Sequence, residues 1–153
     1  MPASHRELLL AEVQRVFSEA VAGDTRGGTT WGRVLDSPYE GREFKGQNIM
    51  SLIEGTETYI EVLSPDKRDR ALELDIQTRV YVPKGTSLRA GANTVLSDLE
   101  EIVEANNLWG GLAYATVFGA NSVQREDTGD RVVEVSLFIT LRYRTKRTDP
   151  RSS

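Results

Sequence analysis

The most regular pattern in the chain is a two-residue alternation. Leu72, Leu74, Ile76, Val80 and Val82 occupy one set of alternate positions, with Thr78 in the same row, and Glu73, Asp75, Gln77, Arg79 and Tyr81 occupy the other. Successive strand side chains point to opposite faces, so this pattern predicts a strand with one dry and one wet face. A one-residue slip would expose the whole dry row, which fixes the register. Pro83 and Gly85 end the strand. The closing segment alternates as strongly, with Val133, Val135, Leu137, Ile139, Leu141 and Tyr143 on one face and Glu134, Ser136, Thr140 and Arg142 on the other; Phe138 is the apolar exception among the wet positions. A strand over about Leu112 to Val123 precedes it, opened by Gly110 and Gly111. The polar turn Gln124 to Asp130 between them predicts an antiparallel hairpin. Upstream, Ile49 to Glu54 and Glu57 to Leu63 read as two strands separated by Gly55, followed by a polar turn over Ser64 to Asp69.

Two segments carry the three- and four-residue spacing of amphipathic helices. In the first, Ser4 and Glu7 form a capping box ahead of Leu9, Val13, Val16, Phe17 and Ala20, and Gly23 supplies a stop. In the second, Thr86 or Ser87 caps a stripe of Leu88, Ala92, Val95, Leu96, Leu99, Ile102 and Val103. Asp98, Glu100, Glu101 and Glu104 fall outside that stripe, and Asn106 and Asn107 suit its end.

Residues 22–48 are of a different kind. They hold six glycines and Pro38, with Trp31, Tyr39 and Phe44 scattered among them. A short strand fits around Trp31 to Leu35. The rest reads as a loop long for a single domain, and such aromatics are costly to leave in water. The expectation is a segment that docks on a neighbouring subunit or folds back on its own core.

The order is helix, short strand, strands, helix, hairpin. It predicts one α+β domain over residues 1–153, with an antiparallel or mixed sheet of four to five strands and both helices on one face. The strands are apolar on one side only, which argues against a doubly wound parallel sheet.

Composition removes most chemistry. The chain has 153 residues, no Cys and one His, so thiol catalysis, iron–sulfur clusters, Cys-ligated zinc and multi-His metal sites are excluded. No apolar run approaches the ~20 residues of a membrane helix, and no signal-peptide pattern opens the sequence. His5, at the start of the first helix, reads as a solvated terminus. Arg26-Gly27-Gly28-Thr29-Thr30 is faintly like a phosphate loop but lacks its Lys-Ser/Thr ending and any following helix. Glu73 and Asp75 share a face and could pair as carboxylates, and Glu126, Asp127 and Asp130 could clip calcium weakly, though without calcium-loop spacing. The plain reading of each is a polar surface.

Charge is more informative. The net charge is -4, yet the last twelve residues sum to +4 through Arg142, Arg144, Lys146, Arg147 and Arg151 against Asp149, leaving -8 for the other 141. A basic tail over residues 144–153 on an acidic body could touch nucleic acid or an acidic face of another copy; the small patch favours protein. Arg outnumbers Lys 15 to 4, a bias that suits interfaces and that the base composition of a genome explains as easily.

Several strings resemble the tail terminator (tail completion) proteins of long-tailed bacteriophages. They are the N-terminal helix with its Gly-rich, aromatic-dotted loop; Ile53-Glu54-Gly55-Thr56-Glu57; the strand Leu72 to Val82 feeding the helix Leu88 to Ala105; and Thr140-Leu141-Arg142-Tyr143-Arg144-Thr145 with Asp149-Pro150 beyond. The likeness spans nearly the whole chain and rests on pattern and length. It implies a non-enzymatic virion protein without cofactor. Such a protein forms a hexameric ring at the head-proximal end of the tail, stops tube polymerisation, and contacts the tail tube protein and the head–tail connector, with DNA passing through the lumen. Interface positions are nominated from this sequence: Trp31 and Phe44 in the Gly-rich loop, Lys67, Arg68 and Arg70 near the first polar turn, Glu126, Asp127 and Arg131 at the second, and Arg144 and Arg147 in the basic tail. The competing readings are another neck protein (adaptor or stopper), a small nucleic-acid-binding module, and an enzyme working through sheet-face carboxylates.

Overall fold

The computed structural model describes residues 4–21, 25–26, 29–30, 33–35, 48–64, 67–128 and 130–146. In chain order the elements are α1 (His5–Val21), β1 (Thr25–Arg26), β2 (Thr29–Thr30), β3 (Arg33–Leu35), β4 (Ile49–Ser64), β5 (Lys67–Tyr81), α2 (Leu88–Ala105), a 3-10 turn (Trp109–Gly111), β6 (Ala115–Thr128) and β7 (Asp130–Lys146). Four long antiparallel strands lie in the order β4-β5-β7-β6, and β3 adds a short parallel strand at the start of β4. β1 and β2 pair separately. The result is a single small α+β domain.

The helices form where caps and stripes require them. Ser4 Oγ accepts the Glu7 backbone N–H at 3.1 Å, and Ser87 Oγ accepts that of Ala90 at 3.0 Å. α1 buries Leu9, Val13, Val16 and Phe17; α2 buries Ala92, Val95, Leu99, Ile102 and Val103. Both stripes join one core with the expected dry rows, Leu72, Leu74, Ile76 and Val80 from β5 with Val82 just past its end, and Val133 to Tyr143 from β7. Each fully buried aliphatic side chain contributes about 1.5–3 kcal/mol. Gly91 lets α2 sit this close: a Cβ there would lie 2.8 Å from Val82 Cγ2.

Trp109 closes the core beneath α1. Its ring stacks on Phe17 at 6.0 Å, and its indole N–H donates to Thr116 Oγ1 at 2.9 Å. Its φ of 48° is unusual for a bulky side chain, and Gly110 and Gly111 continue in the same left-handed region. Burial of the indole offsets that backbone cost.

Several boundaries differ from the sequence reading. β4 is one strand, because Gly55 and Thr56 form a bulge opposite Glu73 instead of a turn. Lys67 to Arg70 belong to β5, and Gln124 to Thr128 extend β6, so both polar turns are tighter than expected. The segment after Gly110 is a 3-10 turn, and β6 starts only at Ala115. His5 is not solvated: it is 4% exposed, stacked on Tyr143 at 5.3 Å, with Nε2 2.7 Å from the Leu112 carbonyl oxygen. Asp98 is also buried, although its position lies outside the apolar stripe. The faint phosphate loop runs from Arg26 of β1 into β2 (Thr29–Thr30), with its two glycines outside the described residues.

Candidate assembly surface

The β5–β7 register gathers part of the nominated set at one end of the sheet. Lys67 lies opposite Lys146, Arg68 opposite Thr145, Asp69 opposite Arg144, and Arg70 opposite Tyr143. The first polar turn and the start of the basic tail are therefore neighbours, although 74 residues separate Arg70 from Arg144 in sequence. Only the first turn of α1 reaches this end, with His5 stacked on Tyr143 and Arg6 beside Glu57.

Each face of the far end carries arginines on a tyrosine. On the face shared with Leu72, the Arg68 and Arg70 guanidinium carbons sit 5.3 and 5.0 Å from the Tyr59 ring centre. On the opposite face, those of Arg142 and Arg144 sit 5.3 and 4.2 Å from the Tyr114 ring. These are cation–π distances. Asp69 is only 3% exposed and is held by Arg142 at 3.0 Å and by the donated Tyr114 hydroxyl. Burial, and then Asp69, push the Tyr114 hydroxyl above its ordinary pKa.

A second network anchors this end to α1. Glu57 accepts the Tyr143 hydroxyl and lies 3.5 Å from Arg6 and 3.7 Å from Arg70, while Arg6 also reaches Glu54 at 2.7 Å. Burial and the Glu57 bond raise the Tyr143 pKa, so the hydroxyl stays a donor. Arg70 and Arg142 are thus committed to carboxylates within the molecule. Among the described residues Arg68 and Arg144 are stacked on rings without an ion pair.

The remaining nominated residues go elsewhere. Arg131 lies at the other end of β7, roughly 40 Å from Arg144 along the strand. It donates to the Pro83 and Thr86 carbonyl oxygens, both at 2.7 Å, and so clips the loop that enters α2. Glu126 and Asp127 are strand residues opposite Val132 and Arg131; their side chains, and that of Lys67, are outside the described detail. Trp31, Phe44 and Arg147 lie outside the described residues.

The open face of the sheet completes the surface. Phe138 and Val117 are 40% and 50% exposed there. Gly119 permits the bulge beside Phe138, since a Cβ would lie 3.2 Å from the Phe138 carbonyl oxygen. Towards the Arg131 end the same face holds a groove of about 250 Å³ lined by Ser51, Gln77, Arg79, Ser122, Glu134 and Ser136, among others. Arg79 and Glu134 pair across it at 2.6 Å. Of the two candidate carboxylates, Glu73 is exposed, and Asp75 accepts from Gln77 at 2.6 Å with its pKa raised by burial. Among the described residues no three His, Asp or Glu side chains gather to hold a metal ion, and no helix is long and apolar enough to cross a membrane.

The arginines were nominated from sequence, but Tyr59 and Tyr114 were not. Only the pairing brings Tyr59 beside Arg70 and Tyr114 beside Arg142, and the bulges in β4 hide that pairing from a count along the chain. No family model matches the chain, and no curated protein matches it.

Proposed function

We propose that this chain is a structural subunit of a phage tail, a terminator that forms a ring on the head-proximal end of the tail tube. The observation that carries the reading is the far end of the sheet, where four arginines are held in place on two tyrosines. Stacked guanidinium heads keep a planar edge of N–H donors, which suits recognition of carboxylates on another protein surface. The Tyr114 and Tyr143 hydroxyls are held as donors to Asp69 and Glu57 and fix the arginines' surroundings, and we read the arrangement as adhesive. The mostly acidic body is compatible with a lumen through which DNA slides without sticking. In this reading the chain works without a cofactor, in the virion tail, against a tail tube protein and a head connector.

The test is the mass of the purified full chain, alone and with its tail tube protein, by light scattering and negative-stain imaging. A ring, or a monomer that becomes a ring on tubes of finite length, supports the proposal. A stable monomer that leaves tube growth unchanged defeats it.

A further inference from the structure

We infer that, within the ring proposed above, the open edge of β6 on one copy pairs with the open edge of β4 on the next, and that Phe118 seats in the groove between α1 and β4 of that neighbour. The inference rests on the ring reading, because it names the contact between its copies.

Topology supplies the first argument. β6 ends the order β3-β4-β5-β7-β6 and pairs on one side alone. At the other end β3 covers only Ile49 to Ser51, so among the described residues β4 is unpaired on that side from Leu52 onward. The strands β4, β5, β7 and β6 are each antiparallel to the next. The outer two of four such strands run in opposite directions. Copies set side by side in one orientation therefore bring β6 against β4 as a further antiparallel pair. Contact between two different edges is heterologous, the kind that closes rings.

The chemistry of the edges agrees. An open edge presents unpaired N–H and C=O groups, and proteins blunt it with lysine, proline, shortness or bulges. β6 is 14 residues long, has neither Lys nor Pro, and is uncharged from Ala115 to Gln124. It is exposed from Val117 to Arg125. Its protection is the bulge at Gly119 and Ala120. β4 carries its own bulge at Gly55 and Thr56, and is exposed over residues 54–56 and 58–60. Two kinked edges fit a chance strand poorly, so the choice of partner falls to side chains and the pockets that take them.

Those side chains match. Phe118 stands opposite Ile139 of the dry row, so it projects on the helix side, yet it is 38% exposed. Across the sheet its row runs Phe118, Ile139, Leu74, Glu54. Beside Glu54, on the same helix side, lies a groove of about 330 Å³ lined by Leu10, Ala11 and Val13 of α1 and by Leu52 and Leu74 of the sheet. An apolar cavity of ~150 Å³ already takes up benzene. Three strand spacings, roughly 14 Å, separate the two edges. Phe118 therefore fills the groove of a neighbour and not its own. Pairing along the edges also puts the strand ends on the rims of the ring, which leaves the arginine end free for a protein stacked above or below it.

The chain has no cysteine, which makes cross-linking selective. Thr56→Cys with Val117→Cys places one thiol on each edge at the same level of the full chain's sheet. A short bismaleimide should then give a ladder of linked copies on a denaturing gel, and adding Phe118→Ala should abolish it. Without the thiols, Phe118→Ala should lower self-association at least tenfold by light scattering. Ala11→Trp, which fills the groove from its own helix, should do the same. Both positions are exposed, and melting temperatures serve as the folding control. If both folded variants assemble like the parent, or if a ring-forming parent yields no ladder, the contact is wrong while the ring stands. Dimers from Val117→Cys alone mean that β6 pairs with β6 about a two-fold axis, and overturn the inference. A parent that never assembles defeats the ring and the contact together.

Discussion

The two halves of the same sheet use identical backbone pairing for opposite ends. Where α1 and α2 cover it, the dry row of β5 reads Leu72, Leu74, Ile76, Val80, and β7 answers with Leu141, Ile139, Leu137, Val133. Past the apolar stripes of the helices the same row continues as Arg70 and Arg68, opposite Tyr143, which stacks on His5 of α1, and Thr145. The register is unbroken along the full length of β5 and β7. The difference lies only in what the side chains meet. The covered half is held by the area it removes from water, and the far half by ion pairs, stacked rings and one buried hydroxyl. A surface held in this second way can change partner at little cost to the fold.

Substitutions should separate the halves by size of effect. Ile139→Ala in the covered half removes a side chain that is 1% exposed, and should cost about 2–5 kcal/mol in urea unfolding. A cost under ~1 kcal/mol would mean that the helices do not seal this row. Tyr143→Phe sits at the border. It removes only the hydroxyl that donates to Glu57, while Arg6 and Arg70 still compensate that carboxylate, so about 1.5 kcal/mol is expected. A loss as large as that of Ile139→Ala would show that the polar network, not burial, holds the far end. Gly91→Ala should come next. The new methyl meets a stiff Val82 side chain, a clash of about 1–3 kcal/mol, against a helix-propensity gain of up to ~1. A net loss near 1 kcal/mol is expected, and a net gain in melting temperature would show that α2 can shift away from the sheet.

How much of this was legible in the sequence differs between the halves for the same reason. The covered half announces itself because apolar burial has a period. Leu72 to Val82 and Val133 to Tyr143 were readable as dry rows, and both helix caps were readable from Ser4 and Ser87. The α+β class followed from their order. At the far end no period survives, since Arg and Tyr occupy both faces of the strands. Lys67, Arg68, Arg70 and Arg144 could be nominated by charge, but their convergence depends on two long strands lying in register. His5 was misread because its partners, Tyr143 and Leu112, are more than a hundred residues away. Trp109 was missed because two glycines beside it suggested a strand opening, whereas they let a left-handed turn drop the indole into the core.

The smallest predicted effect tests the open face, where neither regime applies cleanly. Asp75 stands on the wet side of β5, opposite Ile53 and Phe138, with an apolar neighbour on each flank. Burial raises its pKa, and the Gln77 amide only partly offsets this. A carboxyl raised in the folded state favours folding while protonated. That advantage is complete below the ordinary aspartate range and is lost as pH rises through the folded value. At neutral pH the ionised group therefore works against the fold. Asp75→Asn keeps an acceptor for Gln77 and removes the charge, so it should raise the melting temperature at pH 7, by the equivalent of ~0.5 kcal/mol at most, and leave it unchanged at pH 3. A gain that persists undiminished at pH 3 would come from packing and not from ionisation. A loss at pH 7 would mean that the charge has a favourable partner on this face, and that Ile53 and Phe138 do not form apolar surroundings for it.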